Sequence, residues 1–166
     1  MDASETIISL TGFMGSGKSS AGRELASRLG IPFVDLDSKV VELAGMSIPE
    51  IFSLSGEPGF RALELKALET VLDGCTPPYV LSLGGGTFTI DAARELVLAR
   101  TRCIFLSASE EEIVKRIGAD PSSRPLFDVS LIKKRLPLYR QAHFEVLTDG
   151  LTVGQTVDCI LERKIV

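Results

Sequence analysis

The stretch Gly12-Phe13-Met14-Gly15-Ser16-Gly17-Lys18-Ser19 follows an apolar run and precedes an amphipathic one. In that setting a GxxxxGK[ST] loop wraps its main-chain N–H groups around phosphate oxygens. The helix that must start there adds the partial positive charge of its N-terminus. Lys18 is the residue type to reach the β and γ phosphates of a nucleotide, and the Ser19 hydroxyl is the type to ligate magnesium. Gly15, Ser16, Gly17, Lys18, Ser19 and Ser20 are therefore the expected ATP contacts. Such a loop alone does not separate a kinase from a GTPase or a mechanical ATPase.

A second constellation narrows the choice. Asp35 and Asp37 stand two residues apart where a second strand ends, the edge at which open α/β sheets bind ligands. Alternation along a strand would send both to one face. One carboxylate can hold magnesium through water while the other orients an acceptor hydroxyl for in-line attack. Asp37 also has the position of a helix N-cap. Arg61 lies three residues before Glu64 on one helix face, with Phe60 beside it. Held by that glutamate, a guanidinium makes a fork for a substrate carboxylate; without it, Arg61 is a surface ion-pair partner. Gly84, Gly85 and Gly86 close the third apolar run, and a segment without side chains lets a ligand touch the backbone.

These residues need a scaffold that brings strand ends together. Apolar runs at 6–10, 32–35, 79–83, 102–106 and 145–147 alternate with helical patterns at 18–29, 37–43, 48–55, 57–72, 91–98, 110–117, 130–143 and 152–164. That rhythm predicts an α/β fold, five parallel strands in a three-layer α-β-α arrangement. Residues 118–127 combine glycine, two prolines, two serines and an aspartate, a loop composition that fits a mobile lid. Arg116 and Arg124 flank it, and Pro125 restrains the backbone after Arg124.

With 166 residues and 45% hydrophobic content the chain suits one domain over 1–166. A net charge of −4 argues for a small ligand over nucleic acid. Cys75, Cys103 and Cys159 are too widely spaced for a zinc site or a disulfide framework and read as free, mostly buried thiols. No basic leader precedes an apolar core at the N-terminus, and no apolar stretch is long enough to span a bilayer. A cytoplasmic protein is expected.

Taken in order, the phosphate loop, Asp35-x-Asp37, the stretch 48–64 with its Gly-Glu-x-x-Phe-Arg, the triple glycine, Arg124-Pro125-Leu126 and Leu138-Tyr139-Arg140 resemble the shikimate kinase family over nearly the whole chain. The resemblance implies the fold of nucleoside monophosphate kinases, with strand order 2-3-1-4-5. It also implies ATP- and magnesium-dependent phosphorylation of shikimate to shikimate 3-phosphate, a step of chorismate and aromatic amino acid biosynthesis, and a monomer is expected. By the same resemblance Asp37, Arg61, Gly84, Gly85, Gly86 and Arg140 bind shikimate, within a region of about 37–64 for the acceptor. Arg61 and Arg140 take its carboxylate and Asp37 its hydroxyls. Asp35 joins Ser19 at magnesium, Ser82 stands at the Walker B position, Arg116 lies along adenine, and Arg124 closes over the phosphates as a catalytic group beside Lys18 and Asp37. A kinase for another small acceptor such as gluconate, and a nucleotide-binding homologue without catalysis, are the competing readings. The chain departs from the family pattern at Thr87-Phe88, where smaller residues are usual, and at 148–155, which lacks the usual arginine and proline.

Overall fold

The computed structural model describes residues 5–14, 16–117 and 130–164. Among them five strands, β1 (Ile7–Thr11), β2 (Phe33–Asp35), β3 (Tyr79–Ser82), β4 (Arg102–Ser107) and β5 (Phe144–Leu147), form one parallel sheet in the order β2-β3-β1-β4-β5. The register pairs Leu10 with Ser82 and Ile104, so the phosphate loop leaves the middle strand with β3 and β4 on either side. The fold class and strand order are those expected from the sequence.

Seven helices connect and cover the strands among the described residues: α1 (Lys18–Leu29), α2 (Leu36–Ala44), α3 (Ile48–Gly74), α4 (Asp91–Arg100), α5 (Glu110–Ile117), α6 (Ser130–Tyr139) and α7 (Val153–Glu162). Strand alternation divides the core in two. Ile8, Leu10, Val80, Ile104 and Leu106 face α1 and α7, where Leu25, Ala26, Val157 and Ile160 are buried. Ile7, Tyr79, Leu81, Cys103 and Phe105 face the other way, against Leu68 and Val71 of α3, Val97 of α4 and Tyr139 of α6. The middle strands are therefore apolar on both faces, as a sheet covered on both sides requires.

Three local outcomes refine the sequence reading. The patterns at 48–55 and 57–72 join in α3, which is broken only at Gly56, whose φ of 65° is a left-handed conformation open to glycine. Pro58 then occupies the first turn of the second half, where a missing N–H costs nothing. The helix expected over 130–143 ends at Tyr139, and Gln141 and Ala142 turn through N–H bonds to Leu138 and Tyr139 carbonyls. Of the three free cysteines only Cys103 is buried, and burial pushes its thiol up to about 12, leaving little reactive thiolate. No helix among the described residues is long and apolar enough to cross a membrane.

Candidate active site

The first turn of α1 is built to receive an anion. Its N-cap is Gly17 in a left-handed conformation, with no side-chain cap and no acidic residue in the first turn. Among the described residues no side chain caps these N–H groups, which leaves them open to an anion. Lys18 is largely buried beneath them and donates from Nζ to the Phe13 carbonyl at 3.2 Å. Ser16 is buried with its Oγ unpartnered among the described residues. Ser19 and Ser20 point outward from the same turn. Gly15 lies outside the described residues.

A cleft of about 340 Å³ opens beside this turn, lined by Met14, Gly17 to Ser20, Asp37, Leu83, Gly84, Gly85 and Arg116. The two aspartates reach it differently from the strand alternation expected. β2 stops at Asp35, which is itself the N-cap of α2 and accepts from the Asp37 N–H at 2.9 Å. Asp37 sits in the first turn of α2 and not at its cap, because the helix starts at once. Its carboxyl is pushed up to about 6 by burial first, then by the charges of Glu64 and Asp35, against the opposing pull of Lys18 and Arg61. A carboxylate poised near neutral pH suits a general base. Asp35 Oδ2 lies 3.4 Å from Ser19 Oγ, which is 3.5 Å from Ser82 Oγ. No group of three or more His, Cys, Asp or Glu side chains placed to hold a metal ion exists among the described residues. A hydroxyl with one nearby carboxylate nevertheless fits magnesium, which keeps most of its waters and takes one or two protein oxygens.

The Arg61–Glu64 pair is not a surface bridge. Glu64 is wholly buried, and it accepts from Arg61 Nη1 through Oε1 and from Thr87 Oγ1 through Oε2, both at 2.8 Å. Arg61 also stacks 5.1 Å from the Phe60 ring and stands 3.5 Å from Glu57. Two glycines of the run after β3 face the charged heads of other side chains, and the middle one faces a backbone. A methyl on Gly84 would meet Glu64 Oε2 at 2.6 Å and Asp37 Oδ1 at 3.0 Å, and one on Gly85 would stand 3.3 Å from the Met14 backbone nitrogen and 3.9 Å from Arg135 Nη1. On Gly86 it would stand 2.3 to 2.4 Å from three atoms of the Arg61 guanidinium. Gly86→Ala is accordingly expected to push Arg61 off its glutamate and raise the KM of a carboxylate acceptor about tenfold, with the ATP KM within about twofold. Steady-state kinetics in both substrates check this, and an unchanged acceptor KM would contradict it.

Arg135 is a candidate site residue that the sequence pattern did not single out. It is 4% exposed on α6, its guanidinium lies 5.6 Å from the Phe13 ring, and its Nη1 has no hydrogen-bond partner among the described residues. Arg61 Nε has no hydrogen-bond partner among them either and stands 3.5 Å from Glu57 Oε1 as an ion pair. Ile132, Arg135 and Tyr139 are the buried residues of α6, at spacings of three and four, so an arginine inside an apolar stripe was the available signal. Tyr139, one turn on, donates its hydroxyl to the Gly85 carbonyl. Burial pushes that hydroxyl up to about 12, so it remains a donor. Arg140 lies exposed in the turn after α6, apart from the group formed by Lys18, Asp37, Arg61 and the glycines.

A second cleft, of about 300 Å³, continues from Ser16, Gly17 and Ser20 toward Arg116, Thr148 and Thr152. Arg116 is held by Glu112 through Nε at 3.0 Å and by the Thr148 hydroxyl and carbonyl at 3.3 Å. Thr152 and Gln155 form a capping box at the start of α7, which shapes the far wall. Arg124 and the segment 118–127 lie outside the described residues.

The sequence matches the shikimate kinase family over residues 14–164. It is 42% identical over 166 residues to a shikimate kinase of Thermus thermophilus, covering 95% of this chain and 89% of the relative. The structure superposes with a TM-score of 0.90 on a shikimate kinase from Acinetobacter baumannii in complex with shikimate, at 32% identity, covering 98% of this chain and 94% of the other. With the shikimate kinase of Aquifex aeolicus the TM-score is 0.83 at 32% identity, with 96% of each chain covered. Fold and sequence agree, and the chain belongs to the shikimate kinase family.

Proposed function

We propose that this chain transfers the γ-phosphoryl group of ATP to shikimate, giving shikimate 3-phosphate for aromatic amino acid biosynthesis. The observation that carries this reading is the pair of largely buried guanidinium groups, Arg61 and Arg135, that flank one glycine run beside Asp37, the second with a nitrogen that has no hydrogen-bond partner among the described residues. Two such forks suit a small carboxylate acceptor, which a plain nucleotide-binding module does not call for.

In the proposed reaction the phosphate loop, Gly15 to Ser20, cradles the nucleotide phosphates, and Lys18 neutralises charge on the transferring group. Asp37 accepts the proton of the acceptor hydroxyl and aims its oxygen for attack, while Gly84, Gly85 and Gly86 give the ring a floor without side chains. Arg61 and Arg135 hold the carboxylate, with Arg140 at the rim. The acceptor side is the region of about 37–64, and the base of ATP lies along Arg116 in the second cleft. Ser19 would hold magnesium directly and Asp35 through water, and the ion would supply charge stabilisation across the phosphates. Arg124, from a lid at 118–127, would bring further positive charge once both substrates are bound and exclude water. All of these groups come from one chain, which fits a single-domain monomer, and three unpaired cysteines fit the reducing cytoplasm.

Purified protein supplied with shikimate, ATP and magnesium is expected to release ADP at about 1 to 100 per second, with none above background when gluconate replaces shikimate. Phosphorus NMR of the product checks the position. Absence of shikimate-dependent ADP would overturn the proposal.

A further inference from the structure

We propose that Thr87 is a positioning residue for the acceptor carboxylate, acting through Glu64 on Arg61. This inference rests on the shikimate reading above and extends it to a residue at which the chain departs from its family's pattern. Thr87 is 0% exposed, in the short 3₁₀ turn Thr87–Thr89 that follows the triple glycine. Its Oγ1 donates to Glu64 Oε2 at 2.8 Å, and Glu64 is also 0% exposed. The other oxygen of Glu64 accepts from Arg61 Nη1 at the same length.

The order of these contacts gives each a consequence. A buried carboxylate is stable only when its oxygens are satisfied. Arg61 satisfies one oxygen of Glu64 and Thr87 satisfies the other, so Thr87 fixes the rotation of the carboxyl plane. That plane in turn sets where the Arg61 fork points. Room for adjustment is small, because Gly84 and Gly86 pack directly against the Glu64 and Arg61 heads. The turn that carries Thr87 is itself anchored: its N–H bonds to the Gly84 carbonyl at 3.2 Å, and Arg94 Nη1 donates to the Phe88 carbonyl at 2.8 Å. A residue without a hydroxyl at this position would leave Glu64 Oε2 without this donor, so the hydroxyl supplies on one side what the arginine supplies on the other.

The test compares the full-length enzyme with Thr87→Val, which keeps the shape and removes the donor, and Thr87→Ser, which keeps the donor. Thr87→Val is expected to raise the shikimate KM about tenfold, with kcat and the ATP KM changed less than about threefold. Thr87→Ser is expected to stay within about threefold of wild type throughout. In an Arg61→Lys background, where the fork is already lost, Thr87→Val is expected to add less than about twofold. An unchanged shikimate KM in Thr87→Val, a Ser variant as impaired as the Val variant, or full additivity with Arg61→Lys would overturn the proposal. If the wild type itself releases no shikimate-dependent ADP, the functional reading fails separately. The link is then read from melting temperatures of Thr87→Val, Glu64→Gln and the double variant: sub-additive losses support it and additive losses overturn it. The same melting series decides the matter if Thr87→Val is too unstable for kinetics.

Discussion

Asp37→Asn is expected to lose activity by about 10² to 10⁴-fold while making the protein more stable at pH 8. The carboxyl sits at about 6 in the fold, mainly through burial, against 3.8 for an unperturbed aspartate. Above pH 6 the fold must hold this group ionised where ionisation is disfavoured, and that cost is fully present. As pH falls from 6 to 3.8 the folded protein takes up the proton before the unfolded chain does, so the cost fades, and below 3.8 it is gone. Because Asp37 is partly exposed, the cost at pH 8 is about 1 to 3 kcal/mol, and the asparagine variant should melt about 3 to 8 °C higher. Removing the negative charge also releases Lys18 and Arg61 from a partner, but burial is the larger cause of the shift. Scans without nucleotide or metal at pH 8 and pH 4 check this: the gain must be present at the first and absent at the second. Activity supplies a parallel measure. In wild type, kcat/KM for the acceptor should fall about tenfold per pH unit below about pH 6, as the free enzyme's base is protonated. An asparagine variant less stable at pH 8 would contradict the account of a disfavoured charge.

The second large effect separates the two arginines of α6 and the turn after it. Arg135→Lys is expected to raise the shikimate KM about a hundredfold, because lysine keeps the charge but cannot make two parallel N–H bonds to a carboxylate. Arg135 is also 4% exposed, with its guanidinium 5.6 Å from the Phe13 ring, so a replacement has little freedom to recover the geometry. kcat should change less than about threefold, the pattern of lost ground-state and transition-state binding alike. Arg140→Ala, at an exposed turn, is expected to leave both parameters within about twofold. A larger effect at Arg140 than at Arg135 would place the carboxylate contact beyond the end of α6, where the sequence reading had put it.

These two arginines also show where a sequence is informative and where it is not. The phosphate loop is local: eight consecutive residues encode strand end, turn and helix start, and α1 begins and ends at the residues expected. The strand runs were equally legible because both faces of the middle strands are buried. The separate helical patterns at 48–55 and 57–72 meet at Gly56, where α3 breaks. The failures lie where a residue's phase or its distant partner decides. Asp35 and Asp37 were put on one strand face, yet the strand ends between them and one caps the helix that carries the other. On α6 an offset of five residues separates a buried guanidinium from an exposed one, and only the Ile132 and Tyr139 stripe sets the phase. The bond between Thr87 and Glu64 spans 23 residues, and no local pattern announces it.

The floor of the acceptor pocket has a consequence for how such an enzyme can change. Gly84 and Gly86 back onto the charged heads of Glu64, Asp37 and Arg61, and Gly85 onto the Met14 backbone, so a new side chain at the first or the last displaces machinery already in place. Shifts in substrate preference are therefore expected from wall positions of α2, α3 and α6 other than Asp37, Arg61, Glu64 and Arg135. An engineer seeking a different acceptor should vary those positions and leave the strand end alone.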